Sequence, residues 1–204
     1  MIPQVKICGL TNSEDARWAV QCGADLLGFV FCEQSPRYLA PAAAAKIIAG
    51  LPAEIGKVGL FVNAPAEAVH RTAGECGLTV LQFHGDETPE YCAQFGLPVM
   101  KAFRVRGVET IEQMRQFATR YWLLDAFVEG KPGGTGHTFS WDFAVLARDL
   151  GTPFFLAGGL TPDNVAQAVR QVRPFGVDVS SGVEVSRGKK DPAKVQAFIR
   201  AAKA

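Results

Sequence analysis

Residues 4–14 are Gln4-Val5-Lys6-Ile7-Cys8-Gly9-Leu10-Thr11-Asn12-Ser13-Glu14, a stretch that joins two kinds of local signal. The first five residues form a short, mainly apolar run, which predicts a buried β-strand from Gln4 to Cys8. Gly9 ends this run. Thr11 and Glu14 then have the spacing of a capping box, which predicts the start of a helix. The stretch therefore predicts a strand that leads directly into a helix, with a thiol at the strand's C-terminal end.

The same alternation of a short apolar run with an Ala-rich helical segment continues along the chain. Several runs are apolar almost throughout, as strands buried on both faces are. We predict eight strands from this pattern: Gln4–Cys8, Asp25–Phe31, Lys57–Val62, Thr79–Phe83, Val99–Phe103, Tyr121–Asp125, Phe154–Ala157 and Gly176–Val179.

Prolines and glycines mark the expected helix ends. Five prolines are predicted in first helical turns, where the missing N–H costs nothing: Pro41, Pro65, Pro89, Pro162 and Pro192. Three of them follow a candidate N-cap residue: Thr88, Thr161 and Asp191. Three glycines are predicted to stop helices: Gly23, Gly77 and Gly151.

Eight strands alternating with helices, with no linker between them, predict an α/β protein with a parallel sheet. A single (β/α)8 TIM barrel over residues 1–204 fits this count, although the chain is near the lower end of the size range of that fold. An open doubly wound sheet is the alternative. In a barrel, functional residues lie on the loops that follow the strands.

Composition limits the classes of partner. The formal net charge is +1, which creates no field that attracts nucleic acid or an acidic membrane, so we expect neither as a partner. No segment approaches the roughly 20 apolar residues of a membrane span, and the N-terminal residues lack the pattern of a signal peptide. The five cysteines have scattered spacings, which predicts reduced thiols in a cytoplasmic protein and not a disulfide framework.

Glycine-rich sequences follow three of the predicted strands. Gly158-Gly159 follows strand seven and Ser181-Gly182 follows strand eight, which is where such barrels recurrently bind phosphate. Each loop alone could be merely a tight turn, but together they predict a phosphorylated small molecule as the ligand. The third segment is Glu129–His137 after strand six, and it is either a cover or cradle over a substrate or a plain loop.

Other strand ends carry side chains suited to acid–base chemistry. Cys8 can act as a general base or a nucleophile if a cation or a helix N-terminus stabilises its thiolate. Asp125, which we expect to be buried, can act as a general acid. Arg37 can hold a carboxylate through two hydrogen bonds, and His84 can contact a substrate or cap its strand. The alternatives are a core thiol, a carboxylate bonded to backbone amides and a solvated arginine.

Asp178 lies inside strand eight, so we expect it to have a structural or supporting role. No cluster of histidine, aspartate or glutamate has the spacing of metal ligands, so we predict no metal.

Seven short motifs occur in order, each close to a strand end: Lys6-Ile7-Cys8-Gly9, Ser35-Pro36-Arg37, Gln82-Phe83-His84-Gly85, Leu124-Asp125, Gly133-Gly134-Thr135-Gly136, Ala157-Gly158-Gly159-Leu160 and Asp178-Val179-Ser180-Ser181-Gly182-Val183-Glu184. Together they resemble the phosphoribosylanthranilate isomerases, enzymes of tryptophan biosynthesis, over nearly the whole chain. Two departures are visible. Phe83 stands where the family commonly has leucine, and Ser140-Trp141 stands where it commonly has Asp-Trp.

The resemblance implies a (β/α)8 barrel that performs an Amadori rearrangement of a phosphorylated aminoaldose to an aminoketose without a cofactor. It implies that Cys8 is the general base, Asp125 the general acid and Arg37 the partner of the anthranilate carboxylate. It implies that the Gly158-Gly159 and Ser181-Gly182 loops hold the phosphate. His84 and Gly134 are further candidate substrate-binding residues.

Two other functions are the alternatives. The first is a histidine-pathway or dual-substrate isomerase, a family that resembles this one but has aspartate where Cys8 stands. The second is a non-catalytic barrel that binds a phosphorylated metabolite. We expect either a monomer or a homodimer.

Overall fold

The computed structural model describes residues 2–105, 107–125 and 141–204. Eight parallel strands form a closed barrel in sequential order, and the last strand pairs with the first. The strands are β1 (Gln4–Cys8), β2 (Leu26–Val30), β3 (Gly56–Phe61), β4 (Val80–Phe83), β5 (Val99–Arg104), β6 (Tyr121–Asp125), β7 (Phe154–Ala157) and β8 (Gly176–Val179). The predicted barrel is confirmed, and all eight predicted strands agree with it to within one residue at each end.

A helix follows each strand and packs on the outside of the barrel. The helices are α1 (Ser13–Gln21), α2 (Pro41–Ile48), α3 (Ala66–Cys76), α4 (Pro89–Ala93), α5 (Val108–Met114), α6 (Trp141–Arg148), α7 (Val165–Val172) and α8 (Pro192–Ala202). None of the described helices is both long and apolar enough to cross a membrane.

A small antiparallel ribbon, which the sequence analysis did not predict, lies between β8 and α8. It follows a 3₁₀ turn at Ser181–Val183 and consists of β9 (Glu184–Ser186) and β10 (Lys189–Lys190). The ribbon contacts the loop after β1 and the first turn of α1, since Thr11 Oγ1 donates to Gly188 O at 2.6 Å and Lys190 N donates to Asp15 Oδ2 at 2.8 Å.

Alternating side chains divide the apolar residues into two layers, because successive residues of a strand point to opposite faces. The smaller layer fills the inside of the barrel, and its members are Leu26, Val58, Val80, Met100, Ala102, Leu123, Phe155 and Ala157. The larger layer lies between the strands and the surrounding helices. Cys8 and Asp178 belong to strands of this barrel but line a polar opening at its C-terminal end.

The predicted capping box at Thr11 and Glu14 is wrong by one residue. Asn12 is the N-cap of α1, and its side chain accepts a hydrogen bond from Asp15 N at 2.8 Å. The Thr11 hydroxyl is instead directed at the ribbon, where it donates to Gly188 O. A tertiary contact therefore decides between two adjacent residues that could each cap the helix.

The other predicted helix ends are mostly confirmed. Pro41, Pro89 and Pro192 are first helical residues, and Thr88 and Asp191 are N-caps. The positions predicted for α3 and α7 are wrong. Pro65 is the N-cap of α3, and α7 begins only at Val165 after the N-cap Asn164, because the Asn164 side chain closes a turn by accepting from Thr161 N. The three predicted stop glycines all have positive φ, as helix-terminating residues often do: Gly23, Gly77 and Gly151.

Two leucines give a matched test of the assignment of residues to the buried layer between strands and helices. Leu156 on β7 is completely buried, whereas Leu146 on α6 is 45% exposed. We expect Leu156→Ala to lower the free energy of unfolding by about 2–5 kcal/mol, because it leaves a cavity. Leu146→Ala should change it by less than about 0.5 kcal/mol. Urea denaturation followed by circular dichroism measures both, and similar losses in the two variants would contradict the assignment.

Candidate active site

The C-terminal ends of the strands surround a cavity of about 440 Å³, a size suited to a small-molecule ligand. Eight of the nine predicted site residues line it: Cys8, Arg37, His84, Asp125, Gly158, Gly159, Ser181 and Gly182. The ninth, Gly134, lies outside the described residues, as does the rest of segment 129–137. The structure therefore brings together all the predicted site residues that it describes.

The thiol of Cys8 lies at the end of β1, and the residue is only 5% exposed. Lys6, two residues earlier, is completely buried, and its Nζ donates to Asp178 Oδ1 at 2.8 Å. Burial disfavours the charged form of Lys6, but the charges of Asp178 and Cys8 and their hydrogen bonds outweigh burial and raise its pKa. A buried ammonium group therefore stands beside the thiol.

Sequence reasoning missed Lys6 as part of the site. The signal available in the sequence was a lysine in an otherwise apolar strand, two residues before the cysteine and so on the same face. Asp178 has the expected supporting role, since it accepts a hydrogen bond from Lys6, and it also lines the cavity.

Asp125 lies at the end of β6 and faces a histidine. Its Oδ2 is 3.3 Å from Nε2 of His84, which follows β4. The Asp125 side chain is 20% exposed, so the expectation of a buried carboxyl is wrong; the group projects into the open cavity. Gln82 Nε2 lies 3.4 Å from His84 Nδ1. This contact helps to orient the His84 ring towards Asp125.

Arg37, in the loop after β2, is held by a carboxylate that the sequence analysis did not recognise. Its Nε and Nη2 donate to the two oxygens of Glu184, each at 2.7 Å. Lys190 Nζ also donates to Glu184, at 3.0 Å, and to Ser180 O. Neither Glu184 contact uses Nη1 of Arg37, so this edge of the guanidinium can bind a second anion.

The pKa values of this group follow from the same contacts. The hydrogen bonds that Arg37 donates to Glu184 raise the pKa of Arg37 despite partial burial. Burial opposes ionisation of Glu184, but hydrogen bonds from Arg37 and Lys190 outweigh it and lower the pKa of the carboxyl. Burial lowers the pKa of Lys190, and the hydrogen bond and charge of Glu184 offset this lowering only in part.

The loops after β7 and β8 meet at the rim of the cavity. Gly158 and Gly159 have φ values of 82° and 66°, the left-handed region that favours glycine. A Cβ on Gly182 would collide with the carbonyl oxygen of Leu160, so this glycine allows the two loops to touch. Ser180 Oγ is buried here and has no hydrogen-bond partner among the residues that the structure describes. Successive glycines and a hydroxyl of this kind suit a bound anion.

A hollow of about 750 Å³ lies at the opposite end of the barrel. Its charged lining residues are arginines: Arg148, Arg170 and Arg173. It contains neither the thiol nor the carboxyl–histidine pair, so proton transfer is better suited to the C-terminal cavity. Within the described ranges, no three His, Cys, Asp or Glu residues group into a metal site. The predicted lack of a metal stays a prediction.

Comparison with known proteins agrees with this geometry. Residues 5–201 match the family model described as N-(5'phosphoribosyl)anthranilate (PRA) isomerase. The chain belongs to this family. It is 56% identical over 200 residues to the N-(5'-phosphoribosyl)anthranilate isomerase of Citrifermentans bemidjiense. This alignment covers 98% of this chain and 97% of the relative.

Two solved structures of phosphoribosyl anthranilate isomerases have the same fold. The enzyme from Thermotoga maritima superposes with a TM-score of 0.92 at 42% identity, covering 98% of both chains. A second structure contains reduced 1-(o-carboxyphenylamino)-1-deoxyribulose 5-phosphate. It has a TM-score of 0.88 at 40% identity and also covers 98% of both chains.

One departure from the isomerase family pattern can be located. Phe83 on β4 is completely buried, and its ring packs against Phe61, Tyr91 and Phe95. These contacts belong to the layer between strands and helices, so the change from leucine affects packing outside the cavity. The other departure, at Ser140, lies outside the described residues.

The lowered pKa of Glu184 generates a pH-dependent prediction. A carboxyl whose pKa is lower in the folded state stabilises the fold above its unfolded pKa of about 4.5, and this contribution disappears as the pH falls through the lowered value. Glu184→Gln should therefore be less stable than the parent protein by about 1–3 kcal/mol at pH 7.

The difference between the two proteins should shrink as the pH falls from 4.5 through the lowered pKa of Glu184. Urea denaturation across this pH range measures it. Glu54→Gln, at an exposed position, is the matched control and should differ little from the parent at any pH. A Glu184→Gln difference that stays constant with pH would contradict the prediction.

Proposed function

We infer that this protein converts N-(5'-phosphoribosyl)anthranilate to 1-(2-carboxyphenylamino)-1-deoxyribulose 5-phosphate, an aminoaldose-to-aminoketose isomerisation in tryptophan biosynthesis. One observation carries the residue assignments beyond family membership. A thiol, a carboxyl–histidine pair, a guanidinium and two glycine-rich loops line a single cavity of about 440 Å³. This set provides two proton carriers between two anion-binding groups, which matches a substrate with a phosphate and a carboxylate.

Asp125 is the proposed general acid. Its proton passes to the ring oxygen of the ribose, the C1'–O bond breaks, and the sugar opens to a protonated Schiff base. His84, 3.3 Å from the carboxyl, orients Asp125 within the cavity. A general acid of this kind contributes on the order of 10²–10⁴-fold to a rate.

Cys8 is the proposed general base. As a thiolate it takes the proton from C2', and the electron pair of that bond neutralises the iminium nitrogen to give an enolamine. Tautomerisation of the enolamine, with loss of a proton from O2' and gain of one at C1', gives the ketose. Cys8 then holds a proton and Asp125 lacks one, and exchange with water in the open cavity restores both groups. Two proton carriers of different kind can hold opposite protonation states at one pH.

Binding groups at either end hold the reacting carbons in place. We assign the phosphate to the backbone of Gly158, Gly159, Ser181 and Gly182, and the anthranilate carboxylate to the free edge of Arg37. Fixing both ends turns the proton transfers into steps between oriented groups. The chemistry moves protons and no electrons, so we propose that no cofactor takes part.

The remaining partner assignments are proposals of the same kind. We propose a cytoplasmic protein that acts on a small molecule and not on nucleic acid, as a monomer or a homodimer. A paired acid and base favour an enzyme over a silent phosphate-binding barrel. Assay with the aminoimidazole substrate of histidine biosynthesis tests for a second activity.

Substitution of the acid or the base tests the mechanism. Cys8→Ala and Asp125→Asn should each lower kcat by about 10²–10⁴-fold, because each removes one proton carrier. Binding of reduced 1-(o-carboxyphenylamino)-1-deoxyribulose 5-phosphate, measured by calorimetry, should weaken much less. Consumption of the fluorescent anthranilate substrate measures turnover. Cys22→Ala and Asp149→Asn are the matched controls, and near-normal turnover in Cys8→Ala or Asp125→Asn would overturn that residue's role.

Substitution of Arg37 tests the carboxylate contact. Arg37→Ala should raise KM about 10- to 100-fold with a smaller effect on kcat, because a charge-assisted hydrogen bond is lost. The affinity for ribose 5-phosphate, which has no anthranilate group, should be nearly unchanged. An unchanged KM would exclude the contact. Equal losses for both ligands would instead indicate a general disturbance of the cavity, and thermal denaturation of the variant checks its folding.

A further inference from the structure

Lys6 is a buried charge that the proposed proton transfers do not use. The residue has no exposed surface, an environment in which an ammonium group needs compensation. Its partner Asp178 lies on β8, 2.8 Å from Nζ. Lys6 is two residues before Cys8 on β1, so both side chains point into the barrel.

Gly28 leaves the space in which these two side chains approach each other. It is the register partner of Cys8 on β2. A Cβ added to Gly28 would lie 2.8 Å from Cys8 Sγ and 3.1 Å from Lys6 Nζ, so both atoms border the same small volume. Gly28 does not have the positive φ seen at other glycines of the chain. The glycine is therefore required here for space and not for backbone conformation.

The charges around Cys8 come from several elements. Lys6 on β1, Arg37 after β2 and Lys190 on β10 all interact electrostatically with the thiol. Asp178 on β8 pairs with Lys6, and Glu184 on β9 pairs with Arg37 and Lys190. Three cations and two carboxylates leave one positive charge, which a thiolate at Cys8 balances.

Lys6 is the cation that the geometry places beside the thiol, since its Nζ and Cys8 Sγ border the same volume at Gly28. Glu184 binds both Arg37 and Lys190, at 2.7 and 3.0 Å, but its single negative charge offsets only one of them, so the remaining positive charge lies in that cluster. Lys6 has three N–H donors and gives one to Asp178. It also lies deeper than Arg37, whose side chain is 20% exposed, so solvent screens its charge less.

We propose that Lys6 is a positioning residue that holds Cys8 as a thiolate, with Sγ directed at the cavity, and that Gly28 provides the space for this pair. The inference rests on the proposed role of Cys8 as the base. During the reaction the C2' proton passes to Sγ, while Lys6 keeps all three of its protons. Once Sγ is neutral, Asp178 still balances the charge of Lys6.

Alkylation of Cys8 tests this inference without substrate. The full-length protein is treated with iodoacetamide over a range of pH, and modification of each cysteine is followed by mass spectrometry. Lys6→Met removes the charge and keeps much of the length of the side chain. We expect alkylation of Cys8 at pH 7 to slow about tenfold in this variant, because the positive charge that favours the reactive thiolate is removed. Cys32, which also borders the cavity, is the internal reference and should keep its rate.

Two further variants separate the charge effect from a folding defect. Lys6→Met leaves Asp178 without its counter-ion, so Lys6→Met/Asp178→Asn restores a neutral pair and should show the same slow alkylation in a folded protein. Gly28→Ala keeps every charge but fills the shared space, and it should also slow alkylation of Cys8. An unchanged pH profile in the folded double variant would overturn the inference.

Activity measurements distinguish this inference from the proposed function. In Lys6→Met, kcat should fall about tenfold at neutral pH, and the acidic limb of kcat/KM should move to higher pH, with KM little changed. If alkylation slows but Cys8→Ala turns over normally, Lys6 stabilises the thiolate and Cys8 is not the base. If Cys8→Ala is inactive but Lys6→Met keeps the parent's profiles, only the role of Lys6 is refuted.

Discussion

Pairing between β1 and β8 closes the barrel, and the site depends on that closure. The two strands pair in a register that places Lys6 opposite Asp178, so a buried ion pair spans the junction. The same pairing places Cys8 beside the loops that follow β7 and β8. In an open sheet, β1 and β8 would be separate strands, and the proposed base and phosphate loops would not share a cavity.

A second buried ion pair supports the other side of the cavity. Lys101 and Glu87 lie 2.9 Å apart, with side chains 3% and 2% exposed. Both bind the backbone of Gly85, the residue after His84, through its carbonyl and its N–H respectively. Each half of the proposed acid–base machinery therefore rests on a buried pair of charges. Loss of one partner from such a pair costs about 3–5 kcal/mol, because it leaves an uncompensated buried charge.

Much of this arrangement could be predicted from the sequence because it depends on local patterns. Apolar runs define the strands, and topology alone places strand ends such as Cys8 and Asp125 at one rim. The partners of these groups could not be predicted, since Lys6 meets Asp178 only through register and closure. The side-chain direction of Thr11 could not be predicted either, since it is set by a contact with the ribbon. The ribbon itself was not predictable because its strands of three and two residues are too short to show an alternating pattern.

The ribbon of β9 and β10 also bears on the order in which the protein becomes active. It provides the counter-charge of Arg37 through Glu184 and binds the loop after β1 through Gly188. Synthesis proceeds from the N-terminus, so the thiol and the guanidinium leave the ribosome long before these partners exist. A nascent chain cannot complete its binding site until residue 190 has emerged. Substrate therefore meets a finished site only after the barrel has closed.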